Sequence, residues 1–162
     1  MPRLSISILL VALYFSLFCQ ASLSMSCSIG SYSRTGMRPC TLCGPGTFSA
    51  ARGARTCTPC AIGRFQPLSG QTSCRACSPG SAQPEAGQPV CELCQPGSAQ
   101  PASGQGACML CSPGSAQRLA GQGNCNLCPR GTYSNKAGST TCTRCPFGQT
   151  TPFRGSTECV PK

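Results

Sequence analysis

The sequence contains no histidine, no aspartate and no tryptophan, and its only acidic residues are Glu85, Glu92 and Glu158. Without histidine, neither a Ser-His-Asp triad nor a Cys-His pair can be assembled. The three glutamates fall in expected hydrated loops, which argues against the paired carboxylates of a glycosidase, and aspartate-rich calcium loops are absent. We therefore predict a protein that is not an enzyme, with no catalytic residue, no metal site and no cofactor.

Large apolar side chains are scarce beyond residue 24, where Leu, Ile, Val, Met, Phe and Tyr make up 19 of 138 residues. So few apolar side chains cannot build an ordinary core, and the composition alone is typical of a disordered chain. Cysteine reverses that conclusion, because 16 of the same 138 residues are cysteine. This density is typical of secreted domains that are held together by disulfides.

The first 24 residues have the pattern of a secretory signal peptide. Arg3 precedes sixteen uncharged residues, 4–19, and small residues follow, with expected cleavage near Ala21 or Ser24. We therefore expect a secreted, extracellular protein of residues 25–162. An uncleaved signal-anchor that tethers the chain to a membrane is the alternative, although residues 4–19 are short for a span. No apolar stretch follows Cys159, so we expect no membrane span in the mature chain.

The remaining cysteines form a repeat. From Cys40 onward, C-x-x-C doublets recur every 17 residues, and a single cysteine stands at each end of the series. A short fixed period predicts a linear array in which each unit contacts only its neighbours. We number the eight predicted units in chain order: 27–40, 43–57, 60–74, 77–91, 94–108, 111–125, 128–142 and 145–159.

Glycine recurs at two positions within the units. One glycine stands three residues after every leading cysteine, and a second stands ten residues after it in all units but the first, which has Gly36. Pro-Gly pairs such as Pro79-Gly80 fit the centre of a type II turn, where glycine tolerates a positive φ. The glycine pattern therefore predicts two turns in each unit, joined by short extended segments. The fold class that follows is a small disulfide-rich, elongated array of hairpin-like loops with almost no hydrophobic core.

Counting favours one pairing of the cysteines without fixing it. Disulfides within the doublets would strand Cys27 and Cys159, whereas bonds from the second cysteine of each doublet to the next doublet use all sixteen. Crossed pairing between adjacent doublets also uses them all and stays open. The favoured forward pairs are Cys27–Cys40, Cys43–Cys57, Cys60–Cys74, Cys77–Cys91, Cys94–Cys108, Cys111–Cys125, Cys128–Cys142 and Cys145–Cys159.

Zinc and redox chemistry are the alternatives for the doublets. The spacing C-x2-C-x13-C-x2-C is close to that of a four-cysteine zinc site. An oxidising compartment disfavours free thiols, and seven doublets do not divide into four-ligand sites. A redox-active C-x-x-C would need a helix N-terminus, which the sequence does not predict.

The pattern resembles the ephrin-receptor-like cysteine-rich repeats and the first sub-module of the tumour-necrosis-factor-receptor cysteine-rich domain, within the growth-factor-receptor cysteine-rich group. The matching motifs are C-x-x-C-x-P-G-T-F-S, residues 40–49, and C-P-R-G-T-Y-S, residues 128–134. The resemblance implies an extracellular protein-binding or spacer module. The second, more densely cross-linked sub-module of the receptors is missing, so the resemblance assigns no ligand-contact residue.

Charge is distributed unevenly along the array. Residues 25–75 hold six basic groups and no acid, residues 76–117 hold two acids and no base, and residues 118–162 hold six bases and one acid. The middle units share Pro-Gly-Ser-Ala-Gln and are interpreted as a spacer. The candidate contact residues in the outer units are Arg34, Arg38, Arg52, Arg55, Arg64, Arg130, Lys136, Arg144 and Arg154.

Three functions remain open at this stage. The first is binding of an extracellular protein or glycan, and the second is a structural role in a matrix or at a cell surface without a discrete ligand. The third is binding of a polyanion such as a glycosaminoglycan through the basic ends. Scattered arginines that only keep the protein dispersed are the simpler interpretation of the charge. Nucleic acid is not an expected partner, because the sequence has no basic run and no stacking platform.

Overall fold

The computed structural model of the chain describes residues 25–162. The predicted signal peptide, residues 1–24, lies outside the described residues. Within the described residues, sixteen strands of two residues each form eight separate antiparallel hairpins. The small disulfide-rich array of hairpin-like loops that the sequence predicts is therefore confirmed.

Each odd-numbered strand lies inside a disulfide loop, and each even-numbered strand directly follows the cysteine that closes that loop. In chain order they are β1 (Ser31–Tyr32), β2 (Thr41–Leu42), β3 (Thr47–Phe48), β4 (Thr58–Pro59), β5 (Arg64–Phe65), β6 (Arg75–Ala76), β7 (Ser81–Ala82), β8 (Glu92–Leu93), β9 (Ser98–Ala99), β10 (Met109–Leu110), β11 (Ser115–Ala116), β12 (Asn126–Leu127), β13 (Thr132–Tyr133), β14 (Thr143–Arg144), β15 (Gln149–Thr150) and β16 (Val160–Pro161). Each odd-numbered strand pairs with the even-numbered strand that follows it.

The fourth unit shows how the sequence makes a hairpin. The Ser81 N–H donates to the Ser78 carbonyl at 3.0 Å, which closes a turn with Pro79 and Gly80 at its centre. Gly80 has a φ of 84°, as the central glycine of a type II turn requires. Strand β7 follows this turn and pairs with β8, whose two residues lie between the cysteines of the next doublet. The turn and the doublet together therefore define this hairpin and its equivalents in units 1 to 7, whereas in unit 8 the second strand follows the single Cys159.

Adjacent units are joined by backbone hydrogen bonds, which we call the seam. Between units 4 and 5, the Gly80 N–H donates to Gln100 O at 2.7 Å, Gln83 N–H to Gln105 O at 3.1 Å, and Gly104 N–H to Cys77 O at 2.8 Å. The same three bonds recur at the other junctions, except that at the last one the Gly131 N–H donates to the Thr151 hydroxyl instead of a carbonyl. The seam fixes each loop on the next one independently of the disulfides.

Units two positions apart are also in backbone contact. A β-carbon built on Gly80 of unit 4 would lie 2.1 Å from the carbonyl oxygen of Gly121 in unit 6. Equivalent approaches join Gly30 to Gly70 and Gly114 to Gly155. The prediction that each unit contacts only its neighbours is therefore wrong. The glycines lack side chains, so the array winds tightly enough for every second unit to touch.

Sulfur and small side chains occupy the interior. The leading cysteines of units 1–7 are buried, and the buried apolar set is completed by Ala82, Ala99 and Ala116. In unit 8, the leading Cys145 is only half-buried. The core is thus a row of disulfides rather than a cluster of large apolar side chains.

Buried glutamines fill the space beside the disulfides in units 3 to 6. The Gln83 side-chain amide donates to Val90 O at 2.7 Å and accepts from the Glu85 N–H at 3.0 Å. Gln66, Gln100 and Gln117 make equivalent bonds in their own units. Because both ends of the amide are satisfied, a polar side chain is tolerated in the interior. The sequence did not predict this role, because a polar side chain in a repeated motif does not by itself indicate burial.

Candidate binding surface

All sixteen cysteines of the described residues are joined in disulfides, with Cα–Cα separations between 5.6 and 5.8 Å. The pairs are those of the forward-loop alternative: Cys27–Cys40, Cys43–Cys57, Cys60–Cys74, Cys77–Cys91, Cys94–Cys108, Cys111–Cys125, Cys128–Cys142 and Cys145–Cys159. The thiolate is the form of cysteine that binds zinc or attacks another disulfide, and a cysteine in a disulfide is not a thiolate. The doublets therefore serve the fold, and a binding site must come from other side chains.

The nine basic candidate residues are all exposed. The structure brings Arg38 of unit 1 and Arg52 of unit 2 to the same groove. Arg64 lines a different groove beside Phe48, and its guanidinium Nη1 donates to Cys74 O at 3.3 Å. The remaining six are exposed and line neither of these two grooves: Arg34, Arg55, Arg130, Lys136, Arg144 and Arg154.

Grooves recur at the junctions between units. One wall of each groove contains the residue five positions after a leading cysteine and the second strand of that hairpin. The other wall contains the closing cysteine of the next unit. Where the fifth position is Phe48, the groove measures about 330 Å³ and is closed by Cys74. Where it is Ala116, the groove measures about 520 Å³ and is closed by Cys142. Where it is Ala82, the groove measures only about 250 Å³, so the fifth residue does not by itself set the size. The grooves differ from one another both in volume and in their lining side chains.

Exposed leucines recur directly before leading cysteines, at Leu42 near the start of the array and at three later positions, and the sequence predicted none of them as a contact residue. Leu93, Leu110 and Leu127 each stand directly before a leading cysteine and are 60%, 66% and 55% exposed. Met109, beside Leu110, is also exposed. Leu93 and Leu127 line grooves between units 4 and 5 and between units 6 and 7. The sequence signal for this feature is the leucine that precedes the second cysteine of four doublets, Cys43, Cys94, Cys111 and Cys128.

A comparison with known protein families agrees with this repeat architecture. The sequence profile of the family described as tyrosine-protein kinase ephrin type A/B receptor-like matches the chain three times, over residues 30–60, 46–88 and 114–159. These matches cover more than half of the chain. The chain belongs to the ephrin-receptor-like family. No curated protein matches it.

Ephrin-receptor-like repeats with eight disulfides in tandem indicate an extracellular, receptor-like module. Cysteine-rich repeats of this kind are typically non-enzymatic. Within residues 25–162, no helix is both long and apolar enough to cross a membrane. The resemblance that the sequence analysis drew from two motifs is thereby confirmed, and it extends over units at both ends of the array.

Proposed function

We propose that the chain is a secreted, non-enzymatic module that binds another extracellular protein. The observation that supports this proposal is the row of grooves between units. The seam and the disulfides hold the backbone of every groove in nearly the same form, while the lining side chains differ from groove to groove. A rigid scaffold with variable exposed side chains is typical of repeat proteins that bind other proteins.

The groove between units 6 and 7 supplies the sharpest test of this proposal. Leu119 is exposed and lines the groove, together with Leu127 and Pro129. Leu68 has the same position in unit 3 and similar exposure, but it does not line the groove between units 6 and 7. Leu119→Arg and Leu68→Arg therefore introduce the same charge at equivalent positions, in one case inside the groove.

The experiment measures binding of the secreted full chain to a panel of purified extracellular receptor domains. We expect saturable binding to at least one domain, and Leu119→Arg should weaken it at least about tenfold while Leu68→Arg changes it less than about threefold. Mass spectrometry of the secreted product reports whether the chain is cleaved near Ala21 or Ser24. If the chain is secreted but binds none of the domains saturably, the proposed binding function is contradicted. The structural role, a spacer without a discrete ligand, is then the function that fits.

A second candidate function is binding of a polyanion through the basic ends. Two observations favour it. All nine basic candidate residues are exposed, and they lie on both sides of residues 76–117, which contain no basic residue. Polyanion binding of this type weakens as salt screens the charges. Retention on immobilised heparin that persists to about 0.5 M sodium chloride is the expected result, where the Debye length is well under 10 Å. Elution at low salt would contradict it.

A further inference from the structure

The groove at the start of the array combines two cationic side chains with hydroxyl groups. It measures about 380 Å³ and is lined by Arg38 and Arg52, by three serines, and by the apolar Pro39 and Leu42. The serines are Ser26, Ser28 and Ser31. Arg38 belongs to unit 1 and Arg52 to unit 2, so only the winding of the array brings them together.

Backbone hydrogen bonds fix the main chain at Arg38 and directly beside Arg52. The Arg38 N–H donates to Met25 O at 2.8 Å, and Ser26 forms a β-bridge with the neighbouring Met37. Gly53, which follows Arg52, donates its N–H to Cys27 O at 2.8 Å across the seam. The two side chains therefore start from fixed backbone positions, which lowers the entropy lost when they close on a ligand.

The positive charge at this end of the array is not neutralised by the sequence around it. Residues 25–75 contain six arginines and no acid. A guanidinium group donates two parallel hydrogen bonds to an oxyanion, and a pair of guanidinium groups matches a group with several equivalent oxygens. The exposed Ser28 hydroxyl and the apolar Leu42 and Pro39 match the hydroxyls and the C–H face of a sugar ring. The buried Ser31 hydroxyl donates to Ser28 O at 2.7 Å and so supports this wall from behind.

We propose that this groove binds a sulfated glycan, with Arg38 and Arg52 donating to one sulfate group and the serine-lined wall contacting the adjoining sugar. The inference rests on the second proposed function, polyanion binding, and assigns it to one site. It distinguishes the groove from the other exposed arginines at the same end, Arg34 and Arg55, which lie outside it.

The test measures the affinity of the secreted full chain for a heparin-derived octasaccharide by calorimetry. The double variant Arg38→Gln with Arg52→Gln is compared with Arg34→Gln with Arg55→Gln, which removes the same charge from the same units. We expect the first pair to weaken binding at least about tenfold and the second less than about threefold, because only the first removes direct charge-assisted hydrogen bonds. Disulfide mapping of each variant verifies that the loops are intact.

The other outcomes separate the two levels of the proposal. Equal weakening by both pairs would overturn the groove and leave diffuse polyanion binding. No binding by the wild-type chain would overturn both. Equal binding of the desulfated and the sulfated octasaccharide would overturn the proposed sulfate site. Equally strong competition by a polyglutamate peptide would also overturn it, and would indicate an acidic protein segment as the ligand.

Discussion

Gln100 illustrates, at the scale of single residues, how this chain builds an interior without large apolar side chains. Its side chain is 5% exposed, its amide donates to Ala107 O at 2.7 Å, and its oxygen accepts from the Ala102 N–H at 3.1 Å. Its own backbone N–H and carbonyl take part in the seam on either side. One residue thus braces the loop of its unit and joins that unit to both neighbours.

Removal of this side chain should destabilise the protein. In Gln100→Ala, the buried amide is lost together with its two hydrogen bonds, to the Ala107 carbonyl and from the Ala102 N–H. At a net value of about 0.5–1.5 kcal/mol for each bond, we expect a loss of about 1–3 kcal/mol of unfolding free energy. Gln105→Ala in the same unit is the control, because Gln105 is exposed and its amide makes one longer bond, to Ser103 O at 3.3 Å. Guanidinium denaturation with the disulfides intact measures both, and equal midpoints for the two variants would show that the buried amide contributes nothing.

The glycines could be predicted from the sequence, whereas the glutamines could not. All sixteen glycines at the two recurring positions have a φ between 67° and 86°, as their place in turns requires. That requirement is local, because a positive φ favours glycine whatever surrounds it. The burial of Gln83 and Gln100 depends instead on where the next unit lies, and no local pattern in a polar motif reports that.

At the scale of elements, the hairpins are too short to be stable on their own. Each contains two residues per strand, and an isolated two-stranded hairpin is at best marginally stable in water. The loop disulfide and the seam hold both sides of each hairpin. The approach of Gly80 to Gly121 adds a contact between units 4 and 6 that bypasses unit 5.

A pair of glycine substitutions isolates this contact. Gly80→Ala and Gly131→Ala both place alanine at a positive φ, 84° and 77°, which costs about 1–2 kcal/mol in each case. Only at Gly80 would the added carbon collide with another backbone, since nothing lies within 4 Å of the carbon at Gly131. Gly80→Ala should therefore have the clearly lower denaturation midpoint. Indistinguishable midpoints would mean that units two positions apart separate without cost.

At the scale of the whole molecule, covalent loops replace the core. A loop closed across about 15 residues contributes nominally about 3 kcal/mol by restricting the unfolded chain. Full reduction and alkylation should therefore abolish resistance to trypsin and change the far-ultraviolet circular dichroism spectrum. Reduction that leaves both properties unchanged would show that the seam alone maintains the fold.

The period of the sequence and the number of cysteines predicted the number of loops and their disulfides, but not the rotation between successive units. The count of cysteines favoured the forward loops that the structure contains, and the period gave the number of units. The same period fits a loosely stacked array and a tightly wound one, because repetition does not report the rotation between units. The contacts of Gly30, Gly80 and Gly114 with units two positions further on are set by that rotation.

The regularity of the seam has a consequence for how such a chain changes length. Excision of residues 94–110 would join Leu93 to Cys111 and bring equivalent turns, doublets and glycines into the places of those removed. We expect the shortened chain to fold with seven loop disulfides, verified by peptide mapping, and mispaired cysteines would contradict this expectation. We therefore expect insertions and deletions of one whole repeat to preserve the architecture, and natural variants of this chain to differ in steps of 17 residues.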